Sequence, residues 1–576
     1  MNDTARDNNP PRIEPGSDRR TFLKRGLSIG GSLALSSSGL GARAASVSAH
    51  TRGMGSSSRQ PKPPNILVIM VDQMRFPVWA ASAALVDEVM PNLAALRRRS
   101  VSFERHYTAS NDCSPARATL LTGLYTHQSG CMITGRSRLD PAFPTWGGML
   151  RDIGYETAWY GKWHLNPHAN ASLEPYGFSG GTYPSPNGSP GQGTEVDPQI
   201  ASQFAQWFDE AGGDEPWCTT VSFVNPHDIA WWYRFTQEIP GENLPTQLVS
   251  QLAPNFETPL QLQEKGKPLL QRSLQDTAAR SFGVVPFYGP DALTTWSSLI
   301  NTYLMLQGYV DVQIARVLKT LHTRPRVAAN TVILFTSDHG EYGGSHGMRG
   351  KGASAYEEAI RVPLYVHDPR GILTARVDLP RRQLSSSVDV APLLLSIATG
   401  SEAWRSESLY EHLAFRAPLA SICADPQVAG RNWILHATDE DVTEFASELY
   451  AAEAARHVVA LRTARGKLAL YSNWRPGTIE VEPSGQEAEL YDYSTIAGRA
   501  ELENVLGSSA LEEELRATLE EQAIPQELRA PLPSRLREAG RGGLSNYLSV
   551  EEYEAQRVFN SHLPQLSRSE PPATPD

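Results

Sequence analysis

The sequence predicts an α/β protein. A large, doubly wound, mostly parallel sheet flanked by helices is followed by a smaller α+β part built on a short antiparallel sheet. Three observations predict it. Short unbroken apolar runs recur, each ending at ionisable residues. Helical spacings lie between those runs. After about residue 404 the texture changes to hairpin-like segments.

The first run is 65-NILVIMVDQ-73, in which Ile66 to Val71 lead without a break into Asp72. A short β-branched run of this kind suits a strand buried on both faces of a parallel sheet. In 154-GYETAWYGKWH-164 a run ends at Lys162 and His164, in 219-TTVSFVNPHD-228 at His227, and in 331-TVILFTSDHG-340 at Asp338 and His339. Four candidate strands therefore carry ionisable groups just beyond their carboxyl ends, the edge where open α/β sheets assemble their sites.

Between the runs, 301-NTYLMLQGYVDVQIARVLKTL-321 spaces Leu304, Val310, Ile314, Val317 and Leu321 at helical intervals. The segment 387-SVDVAPLLLSIATG-400 reads as a helix closed by Gly400. Further on, 457-HVVALRTARGKLALYSNW-474 reads as two strands joined by a turn containing Gly466, with 488-AELYDY-493 beside them. A charged amphipathic helix is expected over 509-SALEEELRATLEEQA-523. The boundaries that follow are 64–403 for the large α/β part, 404–540 for the smaller part and 541–576 for a tail. The end of that tail has a disordered composition, and Asn546-Tyr547-Leu548 offers side chains to dock on this subunit or a neighbour, which leaves oligomerisation open. The Pro- and Gln-rich stretch 235–300 shows no pattern from which a fold can be read.

Acidic residues outnumber basic ones by 63 to 52, a net charge of -11 that argues against a nucleic-acid partner. Four cysteines, Cys113, Cys131, Cys218 and Cys423, are too few for a disulfide scaffold. No segment reaches ~18 uninterrupted apolar residues, so no membrane span is expected. The stretch 17-SDRRTFLKRGLSIGGSLALSSSGLGARAAS-46 sets Arg19-Arg20 before Phe22-Leu23, a weakly apolar Gly- and Ser-rich run, and Ala42-Arg43-Ala44. It resembles a twin-arginine export signal with an A-x-A cleavage site. The expectation is a signal peptide over 1–45, a linker over 46–63, the twin-arginine export machinery as a partner, and a periplasmic or secreted location.

The chemistry centres on 111-NDCSPARATLLTG-123. Pro115 is favoured in the first turn of a helix, and Ala116 to Leu121 read as its start. Cys113 then lies at or just before a helix N-terminus, where free N–H groups and the dipole favour developing negative charge. Arg117 sits in the first turn and can fold back to the same place. A thiol so placed would have a lowered pKa and would be nucleophilic.

Cys113-Ser114-Pro115-Ala116-Arg117, followed by Leu120-Leu121-Thr122-Gly123, resembles the signature of the formylglycine-dependent sulfatases of the alkaline phosphatase superfamily. In the same order, 154-GYETAWYGKWHL-165 resembles that family's second signature, and 331-TVILFTSDHGEYGGSHGMRGKGASAYEEAIRVPL-364 its metal and lysine segment. Near the end, 489-ELYDY-493 resembles its C-terminal domain, so the resemblance spans roughly residues 64 to 505. It implies that a separate maturation enzyme oxidises Cys113 to formylglycine. One hydroxyl of the hydrated aldehyde would attack sulfur. The other would then lose its proton as the C–O bond breaks, releasing sulfate and restoring the aldehyde.

The resemblance also implies that Asp72, Gln73, Asp338 and His339 hold one divalent cation, calcium before manganese or magnesium. Many relatives have a second aspartate at position 73 and asparagine at position 339. His339 offers nitrogen, which leaves manganese and magnesium open. Arg117 and Lys162 would stabilise the formylglycine oxygens, and His164 would be the base. His227 and Lys351 would contact the sulfate and its bridging oxygen, one of them as general acid, with Lys351 acting chiefly as a positive charge. Trp231 and Trp232 follow His227 and are candidate walls of the substrate pocket. His127 and His346 lie near matched segments and are further candidates. The implied substrate is a small-molecule or carbohydrate sulfate ester. Phosphonate monoester and phosphodiester hydrolases share such a site and can carry an Asp-Gln pair. A binding protein with an unmodified cysteine would have no need of the whole set.

Overall fold

The computed structural model describes residues 62–77, 82–165, 168–213, 215–233, 247–442, 446 and 449–562, with side chains to residue 549. The strands, in chain order, are β1 (Asn65–Asp72), β2 (Val101–Phe103), β3 (His106–Tyr107), β4 (Glu156–Gly161), β5 (Ser179–Gly180), β6 (Trp217–Pro226), β7 (Thr331–Ser337), β8 (Leu364–His367) and β9 (Ser385–Ser386). They are followed by β10 (Trp433–Asp439), β11 (His457–Thr463), β12 (Gly466–Ser472) and β13 (Glu487–Asp492). The main sheet has seven strands in the order β2-β8-β7-β1-β6-β4-β5. All its pairings are parallel except those made by β8, which runs against β7 and β2.

The doubly wound architecture follows from β1. Its side chains alternate between the two faces of the sheet. Ile66, Val68 and Met70 join one core with the helix Cys113–Thr122 and the helix Val390–Thr399. Leu67, Ile69 and Val71 join another with the helices Gln192–Ala211 and Pro290–His322. Every residue of β1 is buried, which is why its sequence reads as an unbroken apolar run. The Val390–Thr399 helix ends at Gly400 in the left-handed conformation, as expected.

The second sheet is antiparallel, in the order β10-β11-β12-β13. One face packs Leu435, Leu461, Leu468 and Leu490 against Leu511, Leu515 and Leu519. The other packs Ile434, Val458, Ala460 and Tyr491 against Leu274, Tyr356 and Ile360, so it backs directly onto the segment that follows β7. Trp404, Leu413, Ile422 and Cys423 pack in the core of the main sheet.

Several expectations are corrected. Gly466 begins β12 rather than lying in the turn before it. The helix expected over 301–321 starts earlier, at Pro290, where proline suits the first helical position. The unreadable stretch before it contains the helices Pro259–Glu264 and Leu269–Phe282. The helix expected over 509–523 spans Leu511–Ala517 and continues as a wider π-type helix, Thr518–Leu528, through Pro525. The expected tail is helical at first, because one helix spans Arg537–His562 and Tyr547 is buried against Met132 and Ile133 of the same chain. The expected signal peptide, most of the linker, and the end of the tail beyond residue 562 lie outside the described residues. No helix among the described residues is long and apolar enough to cross a membrane.

Candidate active site

The four strands singled out from the sequence, β7, β1, β6 and β4, are consecutive neighbours in the sheet. Asp338, Asp72, His227 and Lys162 therefore emerge side by side at one sheet edge. The helix Cys113–Thr122 points its N-terminus at the same place. Asp112 caps it by accepting the Cys113 N–H at 3.1 Å, and Gly123 closes it in the left-handed conformation.

Cys113 Sγ lies 3.1 Å from His339 Nε2, 3.3 Å from Lys351 Nζ, 3.6 Å from Lys162 Nζ and 3.8 Å from Asp72 Oδ1. Arg117 is the hub behind it. Its Nε donates to Asp338 Oδ2 and its Nη2 to Asp72 Oδ2, both at 2.9 Å, while Nη1 donates to the Lys162 carbonyl at 2.5 Å and to Ser222 Oγ at 3.1 Å. Lys162 Nζ adds a third cationic contact, 2.8 Å from Asp72 Oδ2. Burial pushes the Asp72 carboxyl up, but Lys162, then His227, Arg117 and His339 outweigh it and hold the group well below the usual carboxylate range. Burial pulls the Arg117 guanidinium down, yet Asp338 and Asp72 more than reverse that. Burial pushes the Cys131 and Cys423 thiols up to about 12, as expected of inert core thiols.

Asp72, Cys113, Asp338 and His339 each offer one ligand atom, and all four atoms lie within 4.8 Å of one another. This donor set fits a divalent cation. His339 Nδ1 lies 3.1 Å from the Gly340 carbonyl, which only accepts, so in the neutral ring Nε2 keeps its lone pair toward the site. Gln73 Nε2 donates to Glu341 Oε2 at 2.6 Å, which turns Gln73 Oε1 toward Lys351 Nζ at 2.9 Å and makes an oxygen donor of it. Gln73 and His164 both have left-handed backbone, with φ of 67° and 61°. Such values are uncommon for residues other than glycine and concentrate at functional sites.

The remaining predicted residues divide. The His164 carbonyl accepts from Ser114 Oγ at 2.6 Å, beside the helix N-terminus. His227 is fully buried, and its ring lies against Gly188, where an added Cβ would come within 2.5 Å of Cε1. A narrow cleft beside Lys351 is walled by Ile229, Ala278 and Phe282, with Gln73, Asp112 and Arg349 adding polar groups. The two tryptophans are not among its walls. Trp232 is 1% exposed and packs against Trp296 and Tyr233 in an aromatic core. Trp231 donates through its indole N–H to the Gly188 carbonyl at 2.9 Å and packs on Phe282. In this structure Trp232 serves packing, and Trp231 stands beside Phe282. Neither further histidine belongs to the group around Cys113. His127 Nδ1 accepts from Arg529 Nε at 3.2 Å, and His346 Nδ1 lies 2.6 Å from Glu257 Oε2.

Sequence reasoning missed four carboxylates. Asp112 lies 3.3 Å from Lys351 Nζ. Glu341 accepts from Gln73 and from the Gly343 and Gly350 N–H groups, fixing the loop that delivers Lys351. Asp197 accepts from the Val224 and Asn225 N–H groups, and Asp228 from those of Gly193 and Thr194, clamping the chain on either side of His227. Only adjacency to Cys113, to His227 and to the Asp338-His339 pair marks three of them in the sequence.

The chain is similar to known proteins. A family model described as Sulfatase matches residues 64–401. An uncharacterized sulfatase, YidJ, of Escherichia coli (strain K12) is 29% identical over 367 residues, covering 58% of this chain and 68% of its own. A choline-sulfatase of Rhizobium meliloti (strain 1021) is 29% identical over 371 residues, covering 58% of this chain and 67% of its own. Among solved structures, a phosphonate monoester hydrolase from Silicibacter pomeroyi superposes with a TM-score of 0.58 at 22% identity, over 82% of this chain and 96% of that one. This last likeness is one of fold.

Proposed function

The chain belongs to the sulfatase family, a family of sulfuric ester hydrolases, and from that premise we propose that it is an exported enzyme that cleaves a small-molecule or carbohydrate sulfate monoester through a formylglycine made from Cys113. One observation carries the reading. The Cys113 side chain is ringed within 3.8 Å by His339, Lys351, Lys162 and Asp72 at the shared end of the central strands.

Asp72, Asp338, His339 and Gln73 Oε1 would hold the divalent cation, calcium by preference. That cation supplies Lewis acidity and orients a sulfate oxygen. The formylglycine hydrate supplies the nucleophilic oxygen. The protein's own groups do the rest. Arg117 pairs with Asp72 and Asp338 at once and so sets one positive charge between two buried carboxylates. Lys162 sets a positive charge against position 113, favouring an oxyanion there. Lys351, held between Gln73 Oε1 and Asp112, places a second positive charge where negative charge develops on the leaving oxygen. His164 accepts the proton from the hydrate, and His227 contacts the sulfate and serves as acid to the departing alcohol. Ile229, Ala278 and Phe282 exclude water from the mouth and favour an alcohol with an apolar or aryl surface.

The test is mass spectrometry of the Cys113 peptide from protein made in its native host, together with turnover of an aryl sulfate and an aryl phosphonate ester. Expected are the aldehyde or its hydrate at position 113 and faster cleavage of the sulfate. Thiol alone at that position in active protein overturns the mechanism. Preference for the phosphonate overturns the substrate class, which the Asp72-Gln73 pair leaves as the competing reading.

A further inference from the structure

A second cavity, of about 480 Å³, shares no lining residue with the cleft beside Lys351. Six arginines and three glutamates line it, a surplus of three positive charges. The chain as a whole carries -11. The arginines come from well-separated segments: the residues after β1, the β2–β3 connection, the segment before β8, the approach to β9, β11, and the helix Ile496–Arg499. An interface that merely paired charges would match arginines with carboxylates. This one does not.

Three of the arginines are held in place. Arg75 is 3% exposed, donates to the Tyr342 carbonyl at 2.7 Å, and lies 3.6 Å from Glu358. Arg361 stacks on Phe76 at 4.0 Å and donates to the Glu104 carbonyl at 2.7 Å. Arg462 lies 5.0 Å from the rings of both Tyr107 and Tyr493 and donates to Glu357 Oε1 at 3.2 Å. Arg382 stands at the rim and pairs with Glu104 at 3.1 Å. One surplus charge arises because Arg361 and Arg462 share Glu357, and the other two fall on the remaining arginines. Arg105 makes no ion pair or side-chain hydrogen bond among the described residues. Arg499 donates only to the carbonyls of Tyr493 and Ser494, at 2.7 and 3.2 Å. Fixed planar donors, some stacked on aromatic rings, converging on a concave space with unmatched positive charge, are the arrangement that recognises tetrahedral oxyanions.

We propose that this cavity is a second binding site, distinct from the reaction centre, for a sulfate or phosphate oxyanion, whether free or carried on a sugar. Arg105 and Arg499 supply the charge that the ligand neutralises. Arg361 and Arg462 supply oriented N–H groups. The proposal does not depend on the catalytic reading, because it concerns binding by residues outside that cleft.

The test uses the full chain with Cys113→Ala, which prevents turnover. Isothermal titration is run with inorganic sulfate, with inorganic phosphate, and with D-glucosamine 2-N,6-O-disulfate. The same titrations are repeated in an Arg105→Gln/Arg499→Gln double variant and in an Arg98→Gln/Arg326→Gln control that removes equal charge elsewhere. The double variant should bind at least tenfold more weakly, the control should match the parent, and added salt should weaken the parent more than the double variant. In protein with Cys113 intact, the double variant should keep its aryl sulfate turnover. Binding of the inorganic ions alone identifies a free-ion site, and binding of the sugar alone identifies a carbohydrate-borne oxyanion. Unchanged affinity in the double variant, equal weakening in the control, or no heat from any of the three probes overturns the proposal. Thermal melting of each variant separates loss of binding from loss of fold.

Discussion

Replacing Arg117 with methionine tests the construction of the site most directly. Both ion pairs of Arg117 are 0% exposed on each side, so no solvent screening discounts them. Breaking a buried pair by removing one partner costs about 3–5 kcal/mol, because a buried charge is left uncompensated. The two carboxylates do not suffer equally. Asp72 keeps Lys162 Nζ at 2.8 Å. Among the described residues, Asp338 keeps the N–H groups of Gln73 and His339, at 3.1 and 2.9 Å, and lies 3.9 Å from His339 Nε2. The expected loss therefore lies at the lower end, about 3 kcal/mol. Urea unfolding followed by tryptophan fluorescence reads it as a lower midpoint. Turnover of an aryl sulfate should fall by about 10²–10³, the usual cost of one electrostatic donor at a reaction centre. Arg117→Lys keeps the charge, but its single nitrogen cannot bridge both carboxylates, so it should recover part of the stability and little of the rate. If Arg117→Met leaves both the midpoint and the turnover unchanged, the guanidinium is not the element that lets the two carboxylates coexist, and the electrostatic account of the site fails.

Two further outcomes are expected. Glu341→Ala removes the acceptor that orients the Gln73 amide, so calcium affinity measured by titration should drop about 10- to 100-fold; Glu341→Gln, which keeps an acceptor oxygen, should retain most of it, and equal loss in both variants would refute the positioning role. Burial, and then Asp112, push the Glu440 carboxyl from 4.5 up to about 8. The unfolded chain releases this proton near 4.5 and the folded chain only near 8, so this group makes stability fall as pH rises through that window, by up to about 1.4 kcal/mol per pH unit. Glu440→Gln stays neutral at every pH and should remove that slope from the unfolding midpoints; parallel wild-type and variant curves would show that Glu440 is ionised when folded.

The strands were legible because burial on both faces leaves a signature that needs no partner information. Ile66 to Val71 read as a central strand before any neighbour was known. The edge strands were not legible: Ser179–Gly180 has two residues, both exposed. Within the site, the residues at strand ends could be found because the sheet edge is fixed by local pattern. What held them could not. Glu341 meets Gln73 across 268 residues of chain, and nothing in Gly-Glu-Tyr-Gly announces that partner. The left-handed backbone of Gln73 is likewise imposed by tertiary packing, since that residue type does not favour it. The tryptophans show the converse limit. An aromatic residue beside a reactive histidine looks the same in sequence whether it faces a ligand or a core, and Trp232 faces the core of Trp296 and Tyr303.

The depth of Cys113 also has a consequence in time. The thiol is 0% exposed, so an enzyme that modified it would have to act before the fold closes. Yet the groups that enclose it are synthesised much later: His339 follows 226 residues after it and Lys351 follows 238 residues after it. At ~5–20 residues per second, translation leaves roughly 10–45 seconds between the appearance of the cysteine and the arrival of His339. The closing helix is later still. Its Gly543 abuts Gly130, where an added Cβ would come within 2.2 Å of the Gly543 carbonyl carbon. The region just after the cysteine's helix therefore waits for the first turns of the last described helix, Arg537–His562. Long sequence separation, which slows folding, here sets a clock: the proposed maturation of Cys113 would compete with the ribosome and with folding, and slower closure would lengthen the interval in which the residue can be changed.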